Sequence, residues 1–344
     1  MDDPWLGARL GNYQIDALLG RGGMASVYRA EHVALGTRHA VKILDPLFAR
    51  HEEVRARFLR EGRVQAQFKH PGIAVVTDTV SSPAVALVME LLEGESLREV
   101  LERGPISVGA ASIVFEDLAD ALIYAHGKGV VHRDVKPDNV FLAEEEDESL
   151  RPVLLDFGIA RIDTMNAITR AGIKVGTPLY MSPEQVDDPR QVDGRADVFS
   201  LGVVLFEMLT GTTPHEGDTP REIALSMLRG RIPRVSERSA APRELDAVIT
   251  RALAPDPELR FPTMAAFRDA VRAALEGSDA SDAAPARGPF GWASREATAS
   301  TVPPIPEEKV AAVLAERAAL APCPACGADG TGLDHCVRCG ARLG

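Results

Sequence analysis

The sequence predicts an α+β protein, with its strands first and its helices behind them. Residues 12–43 read as strand, glycine-rich turn, strand, turn and strand. Beyond about residue 52 the apolar spacing becomes mainly helical. A third observation sets the organisation. After Gly277 the composition shifts to Ala, Ser, Pro and Gly, and all four cysteines fall at position 323 or later. The chain therefore divides into a main body over 12–276, a linker over 277–320 with a short alanine-rich helix near its end, and a cysteine-bearing module over 321–344. A length of 344 residues allows two domains or one large two-lobed domain, and 45% hydrophobic residues suffice for a sizeable core.

Composition also excludes classes. A formal charge of −12 argues against a general nucleic-acid binder, which needs a basic face. No apolar run reaches membrane-span length; the longest, over 198–209, is interrupted by Ser200 and Glu207 and reads as a buried helix. Met1-Asp2-Asp3-Pro4 is acidic and lacks the apolar core of a signal peptide, so the expectation is a cytoplasmic protein with no membrane partner. With cysteine confined to the far end, no disulfide framework supports the main body.

Taken in order, the elements carry their own chemistry. Leu19-Gly20-Arg21-Gly22-Gly23-Met24-Ala25-Ser26-Val27 lies between the first two strands, and its glycines let the backbone bend closely over phosphates. Ala40-Val41-Lys42-Ile43 is an apolar strand with one lysine, which either snorkels to solvent or points inward. Helical spacing over 52–68 puts Val54, Phe58 and Glu61 on one face. A glutamate on an apolar face is costly to bury unpaired, and pairing with Lys42 resolves both anomalies. His70-Pro71 ends that helix. Residues 84–91 form a buried strand leading into Leu92-Glu93-Gly94, a flexible link. Helices follow at about 96–103 and 108–128, the second turning Ile113, Leu118, Leu122 and Ala125 to a core.

Next comes His132-Arg133-Asp134-Val135-Lys136-Pro137-Asp138-Asn139, a loop with a carboxylate, a lysine and a carboxamide at short spacing. This is equipment for moving a phosphoryl group: a base for a hydroxyl proton, a cation for a phosphate and an oxygen for a divalent metal. Val140-Phe141-Leu142 follows as a strand, and Glu144-Glu145-Glu146-Asp147-Glu148 as a solvated acidic tip. In Val153-Leu154-Leu155-Asp156-Phe157-Gly158 an aspartate ends an apolar strand, placed to hold magnesium together with phosphate oxygens. Residues 159–180 are polar, irregular and rich in threonine. Asp197 opens the long apolar helix, and two amphipathic faces follow: Leu245, Val248, Ile249 and Ala252, then Met264, Phe267, Val271 and Leu275.

Residues 132–139 resemble the catalytic loop of protein kinases, with Lys136 matching the serine/threonine version. The whole of 12–276 resembles a bacterial Ser/Thr protein kinase of the eukaryotic type, its motifs in family order and at family spacing. The resemblance implies a bilobal fold: a small lobe of antiparallel sheet plus the Glu61 helix, and a larger helical lobe. It implies ATP under the glycine turn, near Leu19, Gly20, Gly22, Val27 and Ala40, with Lys42 on the α- and β-phosphates and Glu61 as its partner. Met89 would be the gatekeeper, the backbone of Glu90 and Leu92 would meet the adenine edge, and Leu142 would lie beneath it. Asn139 and Asp156 would hold Mg2+ (or Mn2+), Asp134 would take the proton of a protein Ser or Thr hydroxyl, and Lys136 would steady the γ-phosphate. Residues 159–180 become an activation loop, closed by Gly176-Thr177-Pro178 and Met181-Ser182-Pro183-Glu184. Arg133 would receive a phosphothreonine from that loop, Thr169 first and Thr164 second, and a kinase dimer would serve autophosphorylation. Asp197 would tie down the catalytic-loop backbone, and Arg260 would pair with Glu184. Ala25 and Ser182 depart from the family pattern by small-for-small changes.

Rival readings are a nucleotide-binding pseudokinase scaffold whose tail recruits partners, a small-molecule phosphotransferase, and a kinase that only regulates its own tail module. Lys42, Glu61, Asp134, Asn139 and Asp156 all being present weighs against the first. The segment 176–184 and Lys136 weigh against the second.

The tail carries Cys323-Pro324-Ala325-Cys326-Gly327 and Cys336-Val337-Arg338-Cys339-Gly340. Two such knuckles, each followed by glycine, resemble a small zinc ribbon. A redox dithiol needs only one pair. The expected ligands of a structural Zn2+ are Cys323, Cys326, Cys336 and Cys339, with His335 a weaker substitute.

Overall fold

The computed structural model describes residues 3–145, 149–157, 178–187, 192–217 and 219–276. These group into two compact units, one built from residues 3–67 and 75–92, the other from 68–74 and the described residues after 92. The linker, its helix and the cysteine module lie outside the described residues.

The first unit is a six-stranded antiparallel sheet. Its strands are β1 (Arg9–Leu10), β2 (Tyr13–Arg21), β3 (Ala25–His32), β4 (Arg38–Leu44), β5 (Val76–Val80) and β6 (Ala86–Glu90), in the spatial order β1-β2-β3-β4-β6-β5. Helices α1 (Pro46–Ala49) and α2 (Glu52–Gln65) follow β4. Strand alternation divides the apolar residues between faces. Tyr28, Ala30, Val41, Ile43, Ala86 and Val88 form one core, closed by Trp5 and Leu10. Leu44, Val85 and Leu87 pack with Val54 and Phe58 of α2. Strand β5 escapes the sequence pattern because Thr77, Asp78 and Thr79 are exposed on an edge strand, leaving no apolar run.

The second unit contains a three-stranded sheet of β7 (Gly94–Ser96), β8 (Val140–Glu144) and β9 (Leu150–Leu154). Its helices are α3 (Leu97–Leu101), α4 (Val108–Gly127), α5 (Pro183–Asp187), α6 (Gly194–Thr210), α7 (Pro220–Arg229), α8 (Glu244–Ala252) and α9 (Met264–Glu276). Capping is explicit. Ser96 and Glu99 form a capping box at α3, Asp193 caps α6, and Gly211 ends α6 at φ 73°. Helix α6 buries every residue from Ala196 to Leu209, as its apolar run requires.

Two expectations need correction. Gly94 lies in a strand rather than in irregular chain: it pairs with Ala143 in β7, at φ 133°, and a β-carbon there would lie 2.1 Å from the Leu142 carbonyl oxygen. The glycine permits a close strand approach. Ile113 is 38% exposed, while Val114, Phe115, Leu118, Leu122 and Ala125 form the buried face of α4. Ile113 lies five residues from Leu118, half a turn off that stripe. Among the described residues no helix is long and apolar enough to cross a membrane.

Candidate active site

Lys42 faces the same side of β4 as Ala40, two residues away. Its Nζ stands 5.8 Å from the centroid of the Phe58 ring on α2. Phe58 shares its buried helix face with Val54 and Glu61, and Glu61 is only 6% exposed. The structure thus brings the lysine to the part of α2 that buries the glutamate. Gly62, which no sequence motif singles out, lets that happen. A β-carbon at Gly62 would lie 2.3 Å from Leu87 Cδ2, and Leu87 is the strand partner of Lys42. A glycine in mid-helix, about 1 kcal/mol worse than alanine, is the available clue to close packing.

Val27, Ala40 and Met89 converge in one apolar cluster with Val76 and Leu91. The glycine turn is closed by Gly22 N–H donating to Ala25 O at 2.8 Å, while Gly20 pairs with Val27 and Leu19 is 40% exposed. The Glu90 N–H donates to Val75 O at 3.0 Å, so an adenine contact at Glu90 must use its carbonyl. Leu92 is half-buried at the end of this unit.

In the second unit, the loop after α4 is shaped by one carboxylate. Asp197 is fully buried and accepts the backbone N–H groups of His132 and Arg133, each at 2.8 Å, and bonds His126 Nε2 at 2.7 Å. Burial alone would raise the Asp197 pKa, but the hydrogen bond and charge of His126, the charge of His132 and the Arg133 N–H hold it below the usual value. Arg133 is thereby held at φ 66°, a left-handed conformation uncommon for a side chain of this size. Its carbonyl accepts from Gln185 Nε2 at 2.9 Å.

Around the bend, Asn139 Nδ2 donates to Asp134 Oδ2 at 2.9 Å and to Asp134 O at 2.8 Å, and Lys136 Nζ lies 3.3 Å from the same Oδ2. The three groups singled out in the sequence therefore meet on one carboxylate oxygen. With its nitrogen committed to Asp134, Asn139 turns its carboxamide oxygen the other way. Leu155 N–H donates to Asn139 O at 2.9 Å, continuing the β8–β9 ladder, so Asn139 and Asp156 sit at the same end of one hairpin. A carboxamide oxygen and a carboxylate are hard donors that fit magnesium. No three His, Cys, Asp or Glu side chains converge among the described residues, so such an ion would need the nucleotide's own oxygens. Phe157 is fully buried against His132 and Phe68, with ring centroids 4.5 and 5.0 Å away. His132 is likewise buried, and burial pushes its pKa down. Leu142, 1% exposed, lies within β8.

A cavity of about 580 Å³ opens beside Asp134 and Lys136. One wall is a linked set that sequence spacing could not reveal: Arg98 Nη1 donates to Glu207 Oε1 at 2.9 Å, and Tyr180 hydrogen-bonds both residues. Behind α5, Arg260 is 2% exposed and binds Glu184 bidentately at 2.7 and 2.8 Å, as expected. It also donates to the carbonyls of Ala254, Pro255 and Arg195. Thr164, Thr169 and the four cysteines lie outside the described residues.

One unit carries Lys42 beside the face of α2 that buries Glu61, and the other carries Asp134, Lys136, Asn139 and Asp156; these are the kinds of group that phosphoryl transfer uses. The family model described as protein kinase domain matches residues 13–271, and the chain belongs to that family. It is 41% identical over 276 residues to the serine/threonine-protein kinase Pkn1 of Myxococcus xanthus, covering 79% of this chain and 40% of that protein. It is 38% identical over 270 residues to the serine/threonine-protein kinase PknB of Mycobacterium tuberculosis, covering 76% and 42%. The chain thus spans about two fifths of the length of these relatives. The crystal structure of a double mutant of the Mycobacterium tuberculosis PknI kinase domain superimposes with a TM-score of 0.63 at 28% identity, covering 80% of this chain and all of that one.

Proposed function

We propose that the chain is an ATP-dependent serine/threonine protein kinase. The observation that carries this is the meeting of Asn139 Nδ2 and Lys136 Nζ on Asp134 Oδ2. It supports a division of labour within the carboxylate. Oδ2 is oriented by its two partners, and the carboxylate as a whole can accept the proton of a Ser or Thr hydroxyl. Lys136, a cation next to that acceptor, steadies the phosphate being transferred. Lys42 fixes the nucleotide phosphates, and Val27, Ala40 and Met89 receive the purine. Asn139 and Asp156 would hold a magnesium ion, which would supply countercharge to the nucleotide phosphates. Purified protein with Mg-ATP and a generic protein substrate should yield phosphoserine or phosphothreonine. Asp134→Asn should lower the rate by roughly 10²–10⁴-fold, as for loss of a positioned base. Undiminished transfer by this variant would sink the assignment.

Two finer readings accompany the first. Arg133 receives a phosphothreonine of the activation loop, Thr169 before Thr164. In support, its Nε is buried with no hydrogen-bond partner among the described residues. The tail binds one structural Zn2+ through Cys323, Cys326, Cys336 and Cys339, supported by the paired C-x-x-C spacing.

A further inference from the structure

Residues 3–10 precede the glycine turn and are built into the same unit. Trp5 is 4% exposed and Leu10 fully buried in the core that contains Tyr28. The arm is stitched to β2 by Gly7 N–H on Ile15 O (3.0 Å), Ile15 N–H on Ala8 O (2.9 Å) and Gln14 Nε2 on Gly7 O (2.9 Å).

Its first described residue, Asp3, carries a side chain only 5% exposed. The carboxylate accepts Trp5 N–H at 3.0 Å and the Tyr28 hydroxyl, 3.1 Å from each oxygen, and forms an ion pair with Arg21 Nη2. Burial and the charge of Asp3 push the Tyr28 pKa well above its ordinary range, so the hydroxyl stays a donor. Two neutral donors leave a desolvated carboxylate undercompensated, and Arg21 supplies the opposite charge.

Arg21 is the last residue of β2 and lies inside the glycine turn, paired with Ser26 across it. The far end of its side chain is therefore tied to the arm while its backbone belongs to the turn. An ordinary surface ion pair contributes little, because both partners are free to move in water. Here one partner is fixed by burial and two further hydrogen bonds, so the tether restrains the other.

We propose that Asp3 is a positioning residue for phosphotransfer: through Arg21 it holds the glycine turn in place and sets the affinity for ATP without touching it. This rests on the reading that the turn covers the nucleotide phosphates. Asp3 acts on the turn from the face of the sheet that carries Tyr28, opposite to the side on which Lys42 and Ala40 lie.

The test uses the full chain. Asp3→Asn keeps an acceptor for Trp5 and Tyr28 but removes the charge that holds Arg21; Arg21→Gln removes the other half. Each should raise the KM for ATP, and the Kd for Mg-ATP measured by calorimetry, about 5-fold, with kcat changed less than about 2-fold. The double variant should be no weaker than either single one, since both break one link. Thermal midpoints and salt titration separate the tether from general loosening: the wild-type advantage should shrink at high salt, while the melting temperature of Asp3→Asn, which leaves no buried charge, stays within a few degrees. Unchanged nucleotide affinity in Asp3→Asn, or additive losses in the double variant, overturns the proposal while leaving the kinase assignment intact. A wild-type chain that binds no Mg-ATP overturns both.

Discussion

Gly62 and Leu87 are in such close contact that a β-carbon on the glycine would lie 2.3 Å from one methyl of the leucine and 3.1 Å from the other. Leu87 is 2% exposed and pairs with Lys42 in the sheet. The contact sets how near α2 comes to the strand that bears the lysine. Gly62→Val should destabilise the protein by about 1–3 kcal/mol, the usual result of overpacking, and should weaken nucleotide binding as Glu61 moves away. Adding Leu87→Ala should restore part of both. A double variant worse than Gly62→Val by the full cost of a leucine truncation would show that the two side chains do not compete for space. Denaturant midpoints and ATP titrations report the two effects separately.

Arg133 is held in place by its backbone, yet its guanidinium donates only from Nη2 to Val192 O, at 3.2 Å, among the described contacts, and burial pushes its pKa down. A phosphate adds about −1.5 to −2 charge and three strong acceptors. Mass spectrometry of active protein should find phosphate on Thr169, and Thr169→Ala should lose roughly 10-fold in activity, as expected for one charge-assisted hydrogen bond. Full activity in Thr169→Ala with loss in Thr164→Ala would move the switch to Thr164.

His215 gives a pH signature. It is 1% exposed, stacks within 2° of parallel on Phe199 at 5.8 Å, and neither ring nitrogen has a hydrogen-bond partner among the described residues. Burial pushes its pKa down from 6.5 to about 4. Between these values the unfolded chain binds a proton that the folded one refuses. The contribution to stability is therefore complete above about pH 6.5, declines as pH falls, and is gone by about pH 4; the gap is worth ~3 kcal/mol. His215→Phe should flatten the stability profile over that window, read from urea midpoints at about pH 7.5 and about pH 5. A slope identical to wild type would contradict the assignment.

The four tail cysteines should bind one zinc per chain. Twenty-four residues are too few to bury a core unaided, and structural zinc supplies roughly 10–16 kcal/mol in small metal-folded peptides. Metal analysis of protein purified without chelator should return one equivalent, and any single Cys→Ser change should weaken its retention. A metal-free tail with a reversible Cys323–Cys326 disulfide would make the module a redox element instead.

The residues legible in the sequence are those whose own neighbours betray them. Glu61 stands out on an apolar face at helical spacing, Lys42 interrupts an apolar strand, and Arg260 follows a Pro-Asp-Pro turn. Partners drawn from distant segments leave no such trace. Nothing local links His126 to Asp197, Gln185 to the Arg133 carbonyl, or Arg98 to Tyr180 and Glu207, because each is an ordinary polar residue until the chain is folded. Close approaches are equally silent: Gly62 and Gly94 look like breakers or hinges, and only the neighbouring atoms show that each is a point of tight packing.

The hold of Asp197 on the backbone of His132 and Arg133 spans 65 and 64 residues of sequence. During synthesis the ribosome therefore delivers Asp134 long before the group that bends its loop. Until α6 has emerged and docked, the His132 and Arg133 N–H groups lack that carboxylate, and the nascent chain carries Asp134 in a loop not yet held by it. Any phosphotransfer that depends on this loop is thus expected only after α6 has been made. Arrested chains ending before α6, shortly after it and beyond residue 276, assayed for autophosphorylation, would reveal the step.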